Sequence, residues 1–503
     1  MGRLSALQTL PDLFQAAGLE RPEGLDSIPV RGLRLDSRQV QVGDCFLALR
    51  GNKLDGMSFA SDAIQRGAAV VVTEEKPGSL KGSINVPIVV EPRLRSFVGP
   101  MFDAWNGFPS RHLSAFGVTG TNGKSTTTFL ISAILKAAGH KVISLGTLRY
   151  EVDDEAIDSN LTTPSPDVFF SLLARGVQKG CDVLAMEVSS HALSQDRVKG
   201  VLFKRAIFTN LTQDHLDFHS GFEDYFAAKK KLFTEYMTPD GIGIINLDTP
   251  YGVRLMKEWK GECLTFSRGE TAEGKKADLV LKHQSLSLAG SQLKLAYKGE
   301  EFEIGSKLIG NLNVENLLAA TAFGLSLDLS PEIIAKGISE VTVPGRNEVF
   351  PLPATDGFAV VDYAHTPDAL ERVLLSLRPL TLGKLWCVFG CGGDRDRSKR
   401  PLMGAIAEST ADRVILTSDN PRGESPSEIL TEIRNGMRNP ENAEVVEDRR
   451  DAIRKALQGL GSGDCLLVAG KGHEDYQIVG TERRHFSDQE EITAWIRERS
   501  SWN

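Results

Sequence analysis

Gly117-Val-Thr-Gly-Thr-Asn-Gly-Lys-Ser-Thr-Thr-Thr128 is the stretch on which the reading of this chain turns. The apolar lead-in from Leu113 to Val118 predicts a buried strand. Three glycines and Asn122 then give a tight turn, and Lys124 to Ala138, closed by Gly139, predicts a helix. That order points backbone N–H groups and a helix N-terminus at an anion, with Lys124 added as a point charge. Ser125 is placed to meet the Mg²⁺ that accompanies a nucleotide. The general phosphate-loop pattern has a glycine five residues before Gly123, where this chain has Val118, so this is a shortened Gly-x-Asn-Gly-Lys-Ser form. Gly120, Thr121, Asn122, Gly123, Lys124, Ser125 and Thr126 are therefore expected to cradle the phosphates of ATP. The bland alternative, a Gly-rich turn with an exposed lysine, accounts for neither the strand before it nor the helix after it.

Around this stretch lie 503 residues, too many for one ordinary core, so several domains are expected. The chain is 41% hydrophobic and 25% charged with a net charge of -8, and Lys229-Lys230-Lys231 is its longest basic run. That balance argues against a nucleic-acid surface. The six cysteines are scattered without a Cys-x-x-Cys pair, which favours free thiols in a reducing compartment. No apolar run approaches the ~20 residues of a membrane span, and no basic segment followed by an apolar core opens the chain. A cytoplasmic protein without membrane or nucleic-acid partners is expected.

The first unit, residues 1–100, has its most informative stretch at Leu35-Asp-Ser-Arg38 and onward. Alternation there predicts a strand to Val40, a turn at Gly43-Asp44 and a buried strand Cys45 to Leu49. Ser37 and Asn52 read most simply as turn residues. The second unit, residues 101–343, carries the phosphate loop. Its predicted strand Asp182 to Met186 ends at Glu187, and strand Arg205 to Phe208 ends at Thr209-Asn-Leu-Thr-Gln-Asp-His215. Ligands of doubly wound sheets sit beyond the carboxyl ends of strands, so Glu187 and His215 are candidates to join Lys124 and Ser125 around Mg²⁺. Thr265 to Ser306 alternates as an antiparallel hairpin region would. Asn313 and Asn316 open an apolar helix, where amides are usually caps but can also read an adenine edge. The third unit, residues 344–503, alternates strand and helix again, with polar residues at strand ends. Arg395, Arg422 and Glu474 there supply two guanidinium forks and a carboxylate, suited to a substrate bearing both carboxylates and an ammonium. A surface ion-pair network is the alternative.

Gly-Thr-Asn-Gly-Lys-Ser, Met-Glu-Val-Ser-Ser-His, Thr-Asn-Leu-Thr-Gln-Asp-His-Leu-Asp-Phe-His, Asp-Tyr-Ala-His-Thr-Pro and Gly-Lys-Gly-His-Glu together resemble the Mur ligases of bacterial cell-wall synthesis. The resemblance runs in order from Leu35 to Asp488 and is closest to the members that add the third amino acid of the peptide. It implies an α/β protein of three domains: an N-terminal one for the UDP end of the acceptor, a central P-loop-type ATPase domain, and a C-terminal Rossmann-like domain for the amino acid. Leu35, Ser37, Asn52, Lys53 and Leu54 match UDP-sugar contacts. Thr162, Thr163, Ser189, Gln195 and Arg197 match positions that hold the muramoyl-dipeptide, and a neighbouring family position, commonly Asn, falls on Leu161 in an ungapped match, with Asn160 beside it as the alternative. Glu187 and His215 match Mg²⁺ ligands, while Lys229 matches a lysine carrying a carbamate, an anionic ligand for a second Mg²⁺. Asn313 and Asn316 match the adenine region, Arg346 a phosphate contact and Asp362 a ribose contact.

The implied reaction moves the γ-phosphoryl of ATP to the D-glutamyl carboxylate of UDP-N-acetylmuramoyl-L-alanyl-D-glutamate (the UDP-MurNAc-dipeptide), and an amine then displaces phosphate. Asp419-Asn420-Pro421-Arg422 resembles the loop of enzymes that add meso-diaminopimelate, whose far carboxylate a guanidinium can hold; lysine lacks it. Arg395, Gly470 and Glu474 match the other contacts to this amino acid. A monomer that closes its domains around its substrates is expected. Folylpolyglutamate synthases share the phosphate loop but need no Asp36-Ser-Arg38 unit, and a nucleotide-switched scaffold needs no acceptor residues.

Overall fold

The computed structural model describes residues 9–25, 28–51, 55–76, 86–159, 161–212, 218–269, 271, 274, 276–353 and 355–500. The chain forms two compact units, Met1–Leu279 with Ala319–Ser330, and Val280–Leu318 with Pro331–Asn503.

The first unit begins with a parallel sheet, strands Leu33–Arg34, Cys45–Ala48, Val70–Thr73 and Ile88–Val90 adjacent in chain order. Its two middle strands are buried throughout, hence their unbroken apolar character. The strand expected to reach Val40 stops at Arg34. Asp36 caps a 3₁₀ turn over Ser37–Gln39 by accepting from the Arg38 amide at 3.0 Å, a local bond that competes with the sheet ladder. Helix Leu94–Trp105 follows.

The central sheet of this unit runs Glu262–Ser267, Met237–Asn246, Phe203–Phe208, Ser114–Thr119, Val183–Glu187 and Val142–Leu145, all parallel, with Tyr150–Val152 and Glu155–Ile157 added antiparallel at one edge. The register sets Val118 beside Glu187 and Thr119 beside Phe208. Three strand ends, Thr119, Glu187 and Phe208, are thereby brought to one edge. Thr265 lies in a parallel strand, not in a hairpin as its alternation suggested, because helix Pro250–Glu258 provides the crossover that parallel pairing requires.

In the second unit the antiparallel meander comprises Leu279–Ser287, Gly290–Tyr297 and Glu300–Ser306. Its larger sheet has the order Glu348–Leu352, Gly357–Asp362, Cys465–Ala469, Leu385–Phe389, Arg413–Leu416, Ala443–Val445, antiparallel only at the first strand. Helices cover both faces. Leu370, Leu374, Met403 and Ile433 pack on one side, and Ile453, Leu457, Ile492 and Trp495 on the other. This is a doubly wound layer, as expected of a Rossmann-like domain.

One buried ion pair ties this layer to its loops. Arg449 and Asp488 are both fully buried and joined at 2.7 and 2.8 Å. The same guanidinium donates to the carbonyls of Ala469 at 3.0 Å and Ser418 at 3.5 Å, just where two strands hand over to polar loops. Asp488→Ala leaves that cation buried without its anion. The expected cost is about 3–5 kcal/mol, read as a lower urea midpoint at an unchanged slope.

Candidate active site

The phosphate loop has the geometry its sequence suggests. Gly123 sits at φ +85° and helix Lys124–Ala137 starts at the next residue, so the helix N-terminus opens directly behind the turn. The loop is held from the neighbouring strand end: Asn210 Oδ1 accepts from the Asn122 amide at 2.9 Å, and Thr209 Oγ1 donates to the Asn122 carbonyl at 2.6 Å. A Cβ on Gly120 would stand 1.9 Å from Thr209 Oγ1, which explains the glycine. The Lys124 ammonium folds over its own turn, donating to the carbonyls of Gly120 at 3.0 Å and Thr121 at 2.9 Å. Ser125 and Thr126 lie buried in the first turn of the helix.

Lys229 reaches the same loop from helix Phe222–Thr234. Its side chain is 1% exposed, Nζ donates to the Gly120 carbonyl at 2.7 Å, and it lies 4.5 Å from the Tyr225 ring centre. The Tyr225 hydroxyl is 3.1 Å from Thr121 Oγ1. Tyr225 escaped the sequence reading, although its spacing of one helical turn from Lys229 puts both on one face.

Glu187, also 1% exposed, is aimed by Thr147, whose amide donates at 2.7 Å and whose hydroxyl donates at 3.1 Å. Gly146 leaves the room: a Cβ there would meet Glu187 Oε1 at 2.3 Å. Thr147 is a loop residue that no pattern marks. Glu187 and Ser125 offer oxygen donors, the kind of ligand that Mg²⁺ prefers. His215 lies outside the described residues, as do Asn52, Lys53 and Leu54.

The residues matched to the dipeptide extend from Glu187. Thr162 Oγ1 lies 3.0 Å from Thr147 Oγ1, which can accept its proton, and Thr163 Oγ1 donates to the Glu187 carbonyl at 2.9 Å and accepts from the Ser189 amide at 3.0 Å. Arg197 donates to the Thr163 carbonyl at 3.2 Å and to Gln195 Oε1 at 2.9 and 2.7 Å. Gln195 and Arg197 in turn line a cleft of about 720 Å³ together with Leu35, Ser37 and Arg95. Residues separated by some 160 positions in sequence thus share one cleft. Asp196 fixes the junction, accepting from Tyr236 Oη at 2.7 Å and Ser96 Oγ at 3.1 Å.

In the second unit Asn313 Nδ2 donates to the Ile309 carbonyl at 2.9 Å, and Asn316 Nδ2 to Asn313 Oδ1 at 3.0 Å, so both amides order the start of their helix. The Asp362 carboxylate accepts from the amides of Asn347 at 2.7 Å and Ala364 at 2.9 Å, and burial pushes its pKa up. Arg346 lies over the Tyr363 ring at 4.9 Å, and its Nε is buried with no hydrogen-bond partner among the described residues. Burial also lowers the neighbouring His473 to about 4.

The Asp419–Arg422 loop is braced from several sides. Asn420 Nδ2 donates to Glu474 Oε2 at 2.9 Å, its Oδ1 accepts from the Ile478 amide at 2.9 Å, and Gln477 Nε2 donates to the Asp419 carbonyl at 2.7 Å. Arg422 is held at φ +51°, its amide bonded to the Ile478 carbonyl at 3.1 Å, with one guanidinium N–H on the Gly393 carbonyl at 2.9 Å. Arg395 is exposed on the facing loop. Gly470, at φ +114°, passes so close to Asp419 that a Cβ would meet Oδ2 at 2.6 Å. Lys471 is fully buried and 3.3 Å from both Glu474 Oε2 and Asn420 Oδ1. It stands in the Gly-Lys-Gly-His-Glu motif, but the motif alone does not reveal it as the partner of Glu474.

The chain is similar to known proteins over nearly its whole length. Residues 29–96 match the model of the Mur ligase family catalytic domain, 118–324 the Mur ligase middle domain, and 345–472 the Mur ligase glutamate ligase domain. A UDP-N-acetylmuramoyl-L-alanyl-D-glutamate--2,6-diaminopimelate ligase of Aquifex aeolicus is 43% identical, covering 92% of this chain and 93% of its own. A ligase of the same name from Gloeobacter violaceus is 43% identical over 98% of this chain and 99% of its own. A solved structure of a ligase with that name superposes with a TM-score of 0.70 at 31% identity, covering 97% of this chain and 99% of that one.

Proposed function

The chain belongs to the Mur ligase family, and within it we propose that the protein joins meso-diaminopimelate to the D-glutamate of UDP-N-acetylmuramoyl-L-alanyl-D-glutamate at the expense of ATP. The observation that carries this reading is the braced Asp419–Arg422 loop, which holds a guanidinium fork and Glu474 on one rigid scaffold. It combines a site for an extra carboxylate with a site for an ammonium, as a diamino diacid requires. The same reading has residues 1–100 hold the UDP end, 101–343 ATP and 344–503 the amino acid, in a monomer acting in the cytoplasm.

Leu35, Ser37, Asn52, Lys53 and Leu54 grip the UDP-sugar, and Thr162, Thr163, Ser189, Gln195 and Arg197 orient the dipeptide. Gly120 to Thr126 cradle the phosphates, Asn313 and Asn316 meet adenine, Asp362 the ribose and Arg346 a phosphate. A D-glutamyl carboxylate oxygen attacks the γ-phosphorus, the bond to the bridging oxygen of ADP breaks, and an acyl phosphate results. Lys124 offsets negative charge as it builds on the transferred group. Ser125, Glu187, His215 and a carbamylated Lys229 would hold Mg²⁺, which when bound neutralises phosphate charge. Glu474 with Arg395 and Arg422 holds the amino acid by its ammonium and carboxylates. An uncharged amine of that amino acid attacks the acyl carbonyl, the C–O bond to phosphate breaks, and the nitrogen loses a proton to leave the amide. Alignment and charge neutralisation carry most of the acceleration.

Mass spectrometry of parallel reactions containing the UDP-MurNAc-dipeptide, ATP and Mg²⁺ tests the reading. Tripeptide product is expected with meso-diaminopimelate and not with L-lysine or without an amino acid. Product with lysine alone would keep the ligase and overturn the amino-acid assignment.

A further inference from the structure

Arg400, on helix Lys399–Thr410, is fully buried although it carries a charge. Its guanidinium grips Glu424 at 2.9 Å from each of Nη1 and Nη2, and Nη1 also reaches Glu432 at 2.7 Å. Nη2 donates besides to the Gly392 carbonyl at 3.1 Å. Glu424 completes the link by accepting the Asp394 amide on Oε1, the oxygen that faces Nη2. One ion pair therefore touches two loops: Gly392–Asp394, which delivers Arg395, and the segment after Arg422. Three further bonds cross the same gap. The Gly393 amide donates to the Asn420 carbonyl at 2.9 Å, the Gly423 amide to Asp394 Oδ2 at 3.0 Å, and Arg422 to the Gly393 carbonyl at 2.9 Å.

We infer that Arg400 and Glu424 are positioning residues that set the spacing between the Arg395 and Arg422 guanidinium groups, and so the length of the amino acid accepted. The inference rests on the amino-acid site proposed above. The ion pair touches no proposed substrate contact itself; it acts on the backbone from which the two forks project. Binding two carboxylates at a fixed separation tolerates little slack in that backbone, because misplacement of about an ångström can cost about a hundredfold in rate. The fork geometry is also specific to Arg, since a lysine ammonium at position 400 cannot bridge both oxygens of Glu424 and the Gly392 carbonyl in one plane.

The test uses the full chain, with meso-diaminopimelate, ATP and the UDP-MurNAc-dipeptide each varied in turn. Glu424→Gln preserves shape but removes the charge, and Arg400→Lys preserves the charge but removes the fork. Each variant is expected to raise the KM for meso-diaminopimelate by about tenfold or more, with KM for ATP and for the dipeptide changed less than about twofold. The preference for meso-diaminopimelate over L-lysine in kcat/KM is expected to fall by about tenfold. Arg400 keeps its Glu432 partner at 2.7 Å when Glu424 loses its charge, so Glu424→Gln can be assayed folded even if Arg400→Lys does not fold. A Glu424→Gln chain with a lower Tm but an unaltered KM for meso-diaminopimelate shows a structural staple only and overturns the inference. A uniform rise in all three KM values overturns it as well. Failure of the wild-type chain to make product with any amino acid overturns the functional reading and this inference together.

Discussion

Replacing Lys229 with Ala is expected to lower the rate of tripeptide formation by about a thousandfold or more, because the metal ligand proposed for this position is lost. The geometry places the amine at the centre of the phosphate loop, on the Gly120 carbonyl and over Tyr225, with 1% of the residue exposed. An ammonium there would repel a cation and can donate but not coordinate. Its uncharged amine, by contrast, can add to CO₂, forming an N–C bond and releasing one proton. The product is a carbamate, an anionic oxygen ligand that would sit beside the Gly120 carbonyl of the phosphate loop. Two measurements check this. The Lys229→Ala rate is compared with wild type at saturating substrates, and wild-type activity is followed as CO₂ is removed and bicarbonate is returned. Activity should fall and recover in the second experiment. Full activity in the variant together with indifference to CO₂ would exclude the carbamate.

Lys229 also shows how far a sequence can be read. Of the three consecutive lysines, Lys230 turns outward to Glu258 at 2.7 Å and Lys231 is half-buried, while Lys229 alone is enclosed. The apolar stripe Tyr225, Phe226, Ala228, Leu232 and Phe233 contains position 229, so the burial is latent in helical periodicity. Charge conceals it, since lysines are ordinarily exposed. The phosphate loop was legible because strand, glycine turn and helix all state the same local geometry, and the parallel sheet followed from polar residues placed after apolar strands. The cleft joining Ser37 to Arg197 was not legible from local pattern, because nothing within either segment encodes that they meet. Thr147 escaped for a related reason: its role is to aim Glu187 across the end of a strand pair, and an isolated loop threonine carries no period. The strand expected up to Val40 failed where the Asp36 side chain captured the Arg38 amide, a local competition that alternation does not register.

Arg422→Ala is expected to raise the KM for meso-diaminopimelate by about a hundredfold, equivalent to about 2.7 kcal/mol, while KM for ATP stays within about twofold. The magnitude follows from what the structure commits of this side chain. One N–H of the guanidinium is anchored on the Gly393 carbonyl at 2.9 Å, which fixes the plane of the fork and reduces the entropy lost when a carboxylate docks. The backbone is fixed as well, through the amide bond to Ile478 and the return bond from the Gly480 amide at 2.7 Å. A preorganised charged pair of this kind is worth more than an exposed one, and removing the cation leaves the substrate's far carboxylate desolvated without a partner. Discrimination then runs in the opposite direction for L-lysine, which has no far carboxylate. In wild type it leaves a half-buried guanidinium unpaired, and in Arg422→Ala that penalty disappears. The kcat/KM ratio of meso-diaminopimelate to lysine should therefore fall by more than the KM for meso-diaminopimelate rises. Arg422→Lys separates charge from geometry: if the fork matters, it recovers only part of the lost affinity. An Arg422→Ala chain that retains the wild-type KM and still rejects lysine would move the specificity determinant away from this loop.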